Sequence, residues 1–364
     1  MNAREGRVGR QEAAALGILS CIAMGIFARE AHGAQQGGSG RYLACAFGAA
    51  LALLVYVAVA GGMRAKGVPD LAALYTRAFG RVFGAAASLI TALLLCVSAA
   101  EPLAGVFAIL DGSIFLDAPV ENVSFYALAC LLFLALMGLE TLTRTAKLFL
   151  KAVLLAMLVY VVVAAPAFEA FRLYPLLGEG LRGTLSAGLS ESGRFLPVLL
   201  ALLICANGLH GVENASVAAY ASILVGGAVA AGVLLCIGLT FDEGMLAAVD
   251  APVYRAMMAA RTGSAYARAD KLLVFFWAIA VLLCGGFFAY AAALLHMRAF
   301  RMRDVRPAAA AYAAAVAALM LLVRLGSDAA ARLIEAAERF AFLPLTLLPL
   351  TAALIASLKR GERA

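Results

Sequence analysis

Apolar runs of close to 20 residues recur along this chain, each closed by a short polar break, and no soluble fold can bury so many. A helix needs about 20 predominantly apolar residues to cross the hydrocarbon core of a bilayer. Lipid offers backbone groups no partners, so such runs fold as helices. Ten can be read, over roughly 12–31, 42–62, 82–110, 122–139, 145–165, 182–207, 216–240, 270–296, 308–325 and 340–358. The sharpest breaks are "HGAQQGGSGR", "RAKGVPDLAALYTR", "DGSIFLDAPVEN", "ETLTRTAK" and "HMRAFRMRDVRP". Composition agrees: 65% of the 364 residues are hydrophobic and 14% charged, whereas a soluble domain is about half apolar. The expected fold is an all-α integral membrane protein, a single polytopic domain over 1–364. No small-residue cleavage site follows the first run, which is expected to stay as a helix. The longest connection (241–269) and the segment 326–339 are each expected to hold a short interfacial helix.

The net charge of +7 reads as topology and not as a nucleic-acid surface, because the basic residues are spread over short loops. Short basic loops stay in the cytoplasm. With the N-terminus inside, Arg4, Arg7 and Arg10, then Arg64, Lys66, Arg77 and Arg81, then Arg144, Lys147 and Lys151 all fall inside. So do Arg298, Arg301, Arg303 and Arg306, and finally Lys359, Arg360 and Arg363. The loop 111–121 holds Asp111, Asp117 and Glu121 and no basic residue, as an outside loop should. Both termini are therefore expected in the cytoplasm; the basic residues of 241–269 are the exception. The seven cysteines all lie in apolar runs without CxxC spacing and read as small buried hydrophobes. Tyr42, Tyr75, Tyr126 and Tyr174 lie near span ends, where aromatic belts form. The three histidines are dispersed, and nucleophile elbow, P-loop and zinc spacing are absent. No enzyme activity, cofactor or metal is expected.

Ten spans divide into two halves of five, about 12–165 and about 181–358. Transporters built as inverted repeats bind substrate near the midplane, where the first helix of each half is broken. In the first span "CIAMGIFARE" places Gly25 and Ile26 near the middle, ahead of Arg29 and Glu30, where Gly25 reads either as a helix-packing glycine or as the site of a break. In the sixth, "GLSESGRFLPVLL" carries Ser190, Glu191, Ser192, Gly193 and Arg194 before the apolar stretch from Phe195. Glycine and proline inside a helix cost roughly 1 and 3 kcal/mol relative to alanine. Either this span is broken at Ser190–Gly193, or it begins at Phe195 behind an external loop; its correspondence with Gly25 favours the break. An unwound helix exposes N–H groups that suit a carboxylate and carbonyls that suit an ammonium, and an amino acid carries both. In the third span "CVSAAEPLAGVF" places Glu101 before Pro102. A carboxylate inside a membrane is a candidate proton carrier or ammonium partner, or, toward the outer face, an ordinary hydrated one. The small residues of "LVGGAVAAG" (224–232) read as a face for close helix contact.

Several segments together resemble the GerAB-type spore germination permeases of the amino acid–polyamine–organocation superfamily. In "APVYRAMMAARTGSAYARADKLLVFFWAIAVL", Pro252, Tyr254, Arg268, Asp270 and Trp277 follow that family's order, with Ala267 where glutamate is usual. "GLETLTRTAKLFL" matches its Gly-x-Glu…Arg element at Gly138, Glu140 and Arg144, and "LYPLLGEGLRGTLSAGL" its Pro…Gly segment at Pro175 and Gly180. Two positions depart: "GIFARE" lacks the family's late proline in span 1, and Pro197 and Val198 stand where a Gly-Glu pair is common.

The resemblance implies a LeuT-like 5+5 fold with helices 1 and 6 broken. It also implies the role of membrane-embedded B subunit of a germinant receptor in the spore inner membrane. The implied partners are a small nutrient, an amino acid foremost, the lipid bilayer, an A-type membrane subunit and a C-type lipoprotein. The expected ligand site lies between spans 1, 3, 6 and 8, at Gly25, Ile26, Ser190, Ser192, Gly193 and Glu101. Occupancy would shift spans 1, 2, 6 and 7 against the rest. A coupled amino-acid transporter and a non-binding scaffold subunit are the alternatives.

Overall fold

At two places in this protein one helix passes into the next at a single glycine rather than through a loop. In the computed structural model, which describes residues 8–27, 38–113, 120–178, 180–246, 251–259 and 269–358, Gly138 alone separates α4 (Val120–Met137) from α5 (Leu139–Ala164). Its backbone sits at φ +83° and ψ −176°, a region essentially closed to residues with a Cβ. Gly80 adopts almost the same angles, φ +81° and ψ −176°, and bends α3 (Leu71–Ser113) sharply near its start. Gly138→Ala is expected to destabilise the protein by about 1–3 kcal/mol, read as a lowered thermal midpoint in detergent or nanodiscs.

The remaining elements are helical as well. They are α1 (Arg10–Ile26), α2 (Arg41–Ala65), α6 (Gly180–Ile204), α7 (Val212–Ala221) and α8 (Ala228–Thr240). After the short α9 (Glu243–Leu246) and α10 (Pro252–Ala259) come α11 (Ala269–Phe300), α12 (Arg306–Arg324), α13 (Asp328–Phe340) and α14 (Phe342–Leu358). A π-turn over Ser222–Gly227 links α7 to α8 in one span. Among the described residues, seven helices are long and apolar enough to cross a membrane, or eight if the bent pair α13–α14 is one span. Ten spans are expected from the sequence. The helix α1 has 17 residues up to Ile26 and the apolar part of α4 covers only Ser124–Met137, so neither reaches the length of a full span. Arg29, Glu30, Asp117, Arg261 and Arg268 lie outside the described residues.

Two helices form the centre of the bundle. In α6 and α11 the most apolar stretch is 83% buried, against 28% in α5. The outer helices turn Leu54, Phe83, Leu93, Phe133, Leu148, Leu158 and Leu354 outward, an apolar surface suited to lipid. Cys130 belongs to that surface: six cysteines are buried, but it is exposed, because its face of α4 looks out of the bundle. Tyr75 departs in the other direction. It is fully buried and hydrogen-bonded to Thr91 at 3.1 Å, inside the bundle rather than in an aromatic belt. The two connecting segments do carry short helices, α10 within 241–269 and α13 over most of 326–339 and on to Phe340. Exposed Arg332, Glu335 and Arg339 and buried Ala330 and Ile334 make α13 amphipathic.

The expected break in the sixth span is overturned. Helix α6 runs without interruption through Ser190–Gly193 to Ile204, with Pro197 inside it. The residues that suggested a break make close helix crossings instead. A Cβ on Gly188 would lie 2.4 Å from the Phe47 ring, and one on Gly48 of α2 only 2.7 Å from the Gly188 carbonyl oxygen. Gly193 meets α14 at Phe342 in the same way, at 3.2 Å. Small residues let membrane helices approach until their backbones touch, and that contact offsets their poor helix propensity. The "LVGGAVAAG" face behaves as expected. A Cβ on Gly226 would lie 2.7 Å from both the Ile18 carbonyl oxygen and the Cys21 Cβ of α1.

Candidate functional site

Among the described residues, three ionisable side chains cluster deep in the apolar bundle. On α3, Glu101 precedes Pro102; on α6, Glu191 and Arg194 are one turn apart. The Arg194 guanidinium lies 2.5 Å from Glu191 Oε1 through Nη1 and 3.5 Å from Glu101 Oε1 through Nε. Exposures of 4% for Glu101, 2% for Glu191 and 8% for Arg194 keep all three out of solvent and lipid. Charges so placed need partners, and here a guanidinium fork joins the carboxylates of two helices. The position of Glu191 follows from the α2–α6 crossing, since its Cβ is what a side chain on Gly48 would strike, at 2.5 Å.

Next to Arg194, Phe195 reaches the end of α1. A Cβ on Gly25 would lie 3.3 Å from the Phe195 ring and 2.6 Å from the Ala230 Cβ. The helix α1 ends one residue later at Ile26, with Phe27 as its cap. Phe27 packs on Trp277 of α11 with ring centroids 5.1 Å apart, and Trp277 on Tyr160 of α5 at 6.2 Å. Trp277 and Tyr160 are both wholly buried. The end of α1 thus packs on α6 at Phe195 and on α11 at Trp277.

Of the residues expected to form the site, Gly25 and Ile26 are buried at the end of α1, and Glu101 is buried against Arg194. The α6 residues are spread around their helix. Ser192 is buried and donates its hydroxyl to the Leu189 carbonyl at 2.6 Å, Ser190 is partly exposed, and Gly193 faces α14. Gly25 therefore meets α6 at Phe195 and not at Ser190–Gly193. Neither Glu191 nor Arg194 is among the residues expected to form the ligand site, although both belong to the stretch where the break was expected. Their signal was present, an acid and a base three residues apart at the edge of an apolar run.

A second polar node ties helix ends together elsewhere. Arg298 of α11 donates to the Ile204 carbonyl at the end of α6 at 2.8 Å and pairs with Asp70 at 3.3 Å. Asp70 in turn accepts from the Ala73 amide at the start of α3 at 2.9 Å. Other polar contacts between helices are Arg10 to Asn214 and Glu12 to Lys147, at 2.5 and 3.1 Å. Arg298→Gln is expected to cost about 1.5–3 kcal/mol, the range for hydrogen bonds to charged groups, seen as a lower thermal midpoint.

Among the described residues no group of three or more His, Cys, Asp or Glu side chains could hold a metal ion. A recess of about 380 Å³ between α4, α5 and α11, lined by Cys130, Phe133, Thr145, Phe149 and Leu282, opens on the lipid-facing flank and is almost wholly apolar.

Residues 10–327 match the family model described as "Spore germination protein". The chain belongs to that family. The match takes in α1 to α12, and so the end of α1, Glu101, Glu191 and Arg194; α13 and α14 follow it. Among solved structures, the manganese transporter of Eremococcus coleocola, in complex with an aromatic bis-isothiourea substituted compound, has a TM-score of 0.56 at 16% identity. That alignment covers 96% of this chain and 76% of the transporter. A mutant of the same transporter gives 0.55 and 17% over the same shares. These likenesses establish the fold, the all-α membrane architecture of LeuT-like transporters. No curated protein matches the chain in sequence.

Proposed function

We propose that this spore germination family member is the membrane-embedded B subunit of a germinant receptor, and that it binds a small nutrient, foremost an amino acid. The observation that carries the reading is the buried Glu101–Arg194–Glu191 cluster joining α3 to α6, one residue along α6 from Phe195, against which Gly25 at the end of α1 packs, in a chain of this family. A buried charge cluster in an apolar bundle is costly to keep for structure alone, and an amino acid presents both charges to it. The ligand lies between α1, α3, α6 and α11, with Gly25 and Ile26 below it and Glu101 beside it; Ser190, Ser192 and Gly193 set the packing of α6 around it. Binding shifts the bundle only to the extent that one arrangement holds the ligand more tightly than the other. An A-type subunit and a C-type lipoprotein read the shift in the spore inner membrane, and the basic loops put both termini in the cytoplasm.

The test is binding of each of the twenty amino acids to the purified chain in lipid nanodiscs. At least one should bind saturably; no binding by any of them would favour a scaffold subunit. The likeness in fold to a transporter supports a second reading, coupled uptake. Labelled amino acids accumulating in proteoliposomes under a proton or sodium gradient, with this chain alone, would replace the receptor reading with that one.

A further inference from the structure

The Arg194 cluster is asymmetric in a way that matters if helices move. Glu191 holds the guanidinium from within α6 at 2.5 Å, whereas Glu101 reaches it from α3 at 3.5 Å. Since Glu191 travels on the same helix as Arg194, the arginine keeps a counter-charge when Glu101 leaves it. Glu101 then needs another cation, because an intramembrane carboxylate is costly alone. A proline on each of the two helices leaves one helix carbonyl without its i+4 donor. Pro102 has no amide hydrogen to give the buried Ser98 carbonyl one turn earlier, and Pro197 has none for the carbonyl of Gly193, next to Arg194. A buried carboxylate that reaches its cation across two helices suits an ammonium, which brings three N–H donors and no acceptor.

We propose that this cluster is a counter-ion exchange site for the primary ammonium of a ligand. The amine takes Glu101 from Arg194, Arg194 keeps Glu191, and α3 is released from α6. This rests on the reading of the chain as a ligand-binding subunit, and adds the chemical group recognised and the contact whose loss reports it. The α-ammonium of an amino acid meets the requirement, as does a simple alkylamine; a carboxylic acid without an amine does not.

The experiment uses the full chain in lipid nanodiscs, with propylammonium as probe and propionate as its amine-free counterpart. The readout is the emission of Trp277, the chain's single tryptophan, buried on α11, which packs along α3. Propylammonium should give a saturable change and propionate none. Glu101→Gln should weaken the amine by about 30-fold or more, the loss expected when one partner of a buried charged pair is removed. Glu101→Asp, which keeps the carboxylate, should bind with an intermediate loss and serves if the glutamine variant does not fold. The diagnostic variant is Glu191→Gln. It leaves the amine's carboxylate in place, yet should weaken binding by about tenfold, because the arginine loses the counter-charge that lets it give up Glu101. Failure of propylammonium to bind the wild type, or wild-type affinity in folded Glu191→Gln, overturns the proposal. Propylammonium binding with this variant pattern, while no amino acid binds, would uphold the exchange site and end the nutrient reading. Amino acids that bind wild type, Glu101→Gln and Glu191→Gln alike would do the reverse.

Discussion

Arg194→Leu should leave little folded protein in the membrane fraction. The change takes the guanidinium from Glu101 and Glu191, whose exposures are 4% and 2%. Removing one partner of a buried ion pair costs about 3–5 kcal/mol, since the remaining charge is neither solvated nor paired. Against a total stability of about 5–15 kcal/mol, that is at least a fifth and at most all of it. Arg194→Lys keeps the charge, but a single ammonium cannot reproduce the fork that reaches two carboxylates, so an intermediate level is expected. The informative companion is the triple variant Glu101→Gln, Glu191→Gln, Arg194→Leu. Removing all three charges together removes the penalty along with the pairing, so protein level and thermal midpoint should return close to wild type, while amine and amino-acid binding stay absent. Immunoblots of the membrane fraction and thermal unfolding in nanodiscs measure both. Wild-type levels of Arg194→Leu alone would mean that the cluster is not the buried, paired unit described above.

The sequence was most legible where a property is local. The apolar run of 270–296 appears as α11 at 269–300, and that of 308–325 as α12 at 306–324, because length and hydropathy alone decide a span. The stretch Ser190–Gly193 was misread because its meaning depends on residues far away in the chain. A glycine's helix penalty belongs to its own residue, but the compensating contact is supplied by Gly48 on α2 and Phe342 on α14, and no periodicity in "GLSESGRFLPVLL" announces either. The same holds for the cluster. Glu101 stood out as a carboxylate within an apolar run, and Arg194 could be taken for the end of an external loop until α6 proved continuous. Cys130 and Tyr75 differ from expectation for a related reason: hydropathy fixes that a residue is in a span, not which face of the helix it occupies. Arg298 was legible as topology, a basic residue at a span end, but its bond to the last carbonyl of α6 was not.

Gly48→Val should be as damaging as the loss of Arg194, for a reason that has nothing to do with charge. A Cβ at this position would lie 2.5 Å from the Glu191 Cβ, 2.7 Å from the Gly188 carbonyl oxygen and 2.8 Å from the Ser192 amide nitrogen. Two of these are backbone atoms, so no rotamer change relieves the clash, and α2 and α6 have to part. Overpacking a core costs typically about 1–3 kcal/mol and occasionally more; a collision with helix backbone belongs at the upper end. Parting the helices also moves Glu191, and through it Arg194, away from Glu101. A milder Gly48→Ala should therefore lose ligand binding even where enough protein survives to be measured. Gly61 on the same helix is the control, since a Cβ there meets nothing within 4 Å, and alanine is the better helix former by about 1 kcal/mol. Gly61→Ala should match or slightly exceed wild type in thermal midpoint and bind normally. Equal behaviour of the two alanine variants would show that the α2–α6 crossing is not tight enough to position the charge cluster.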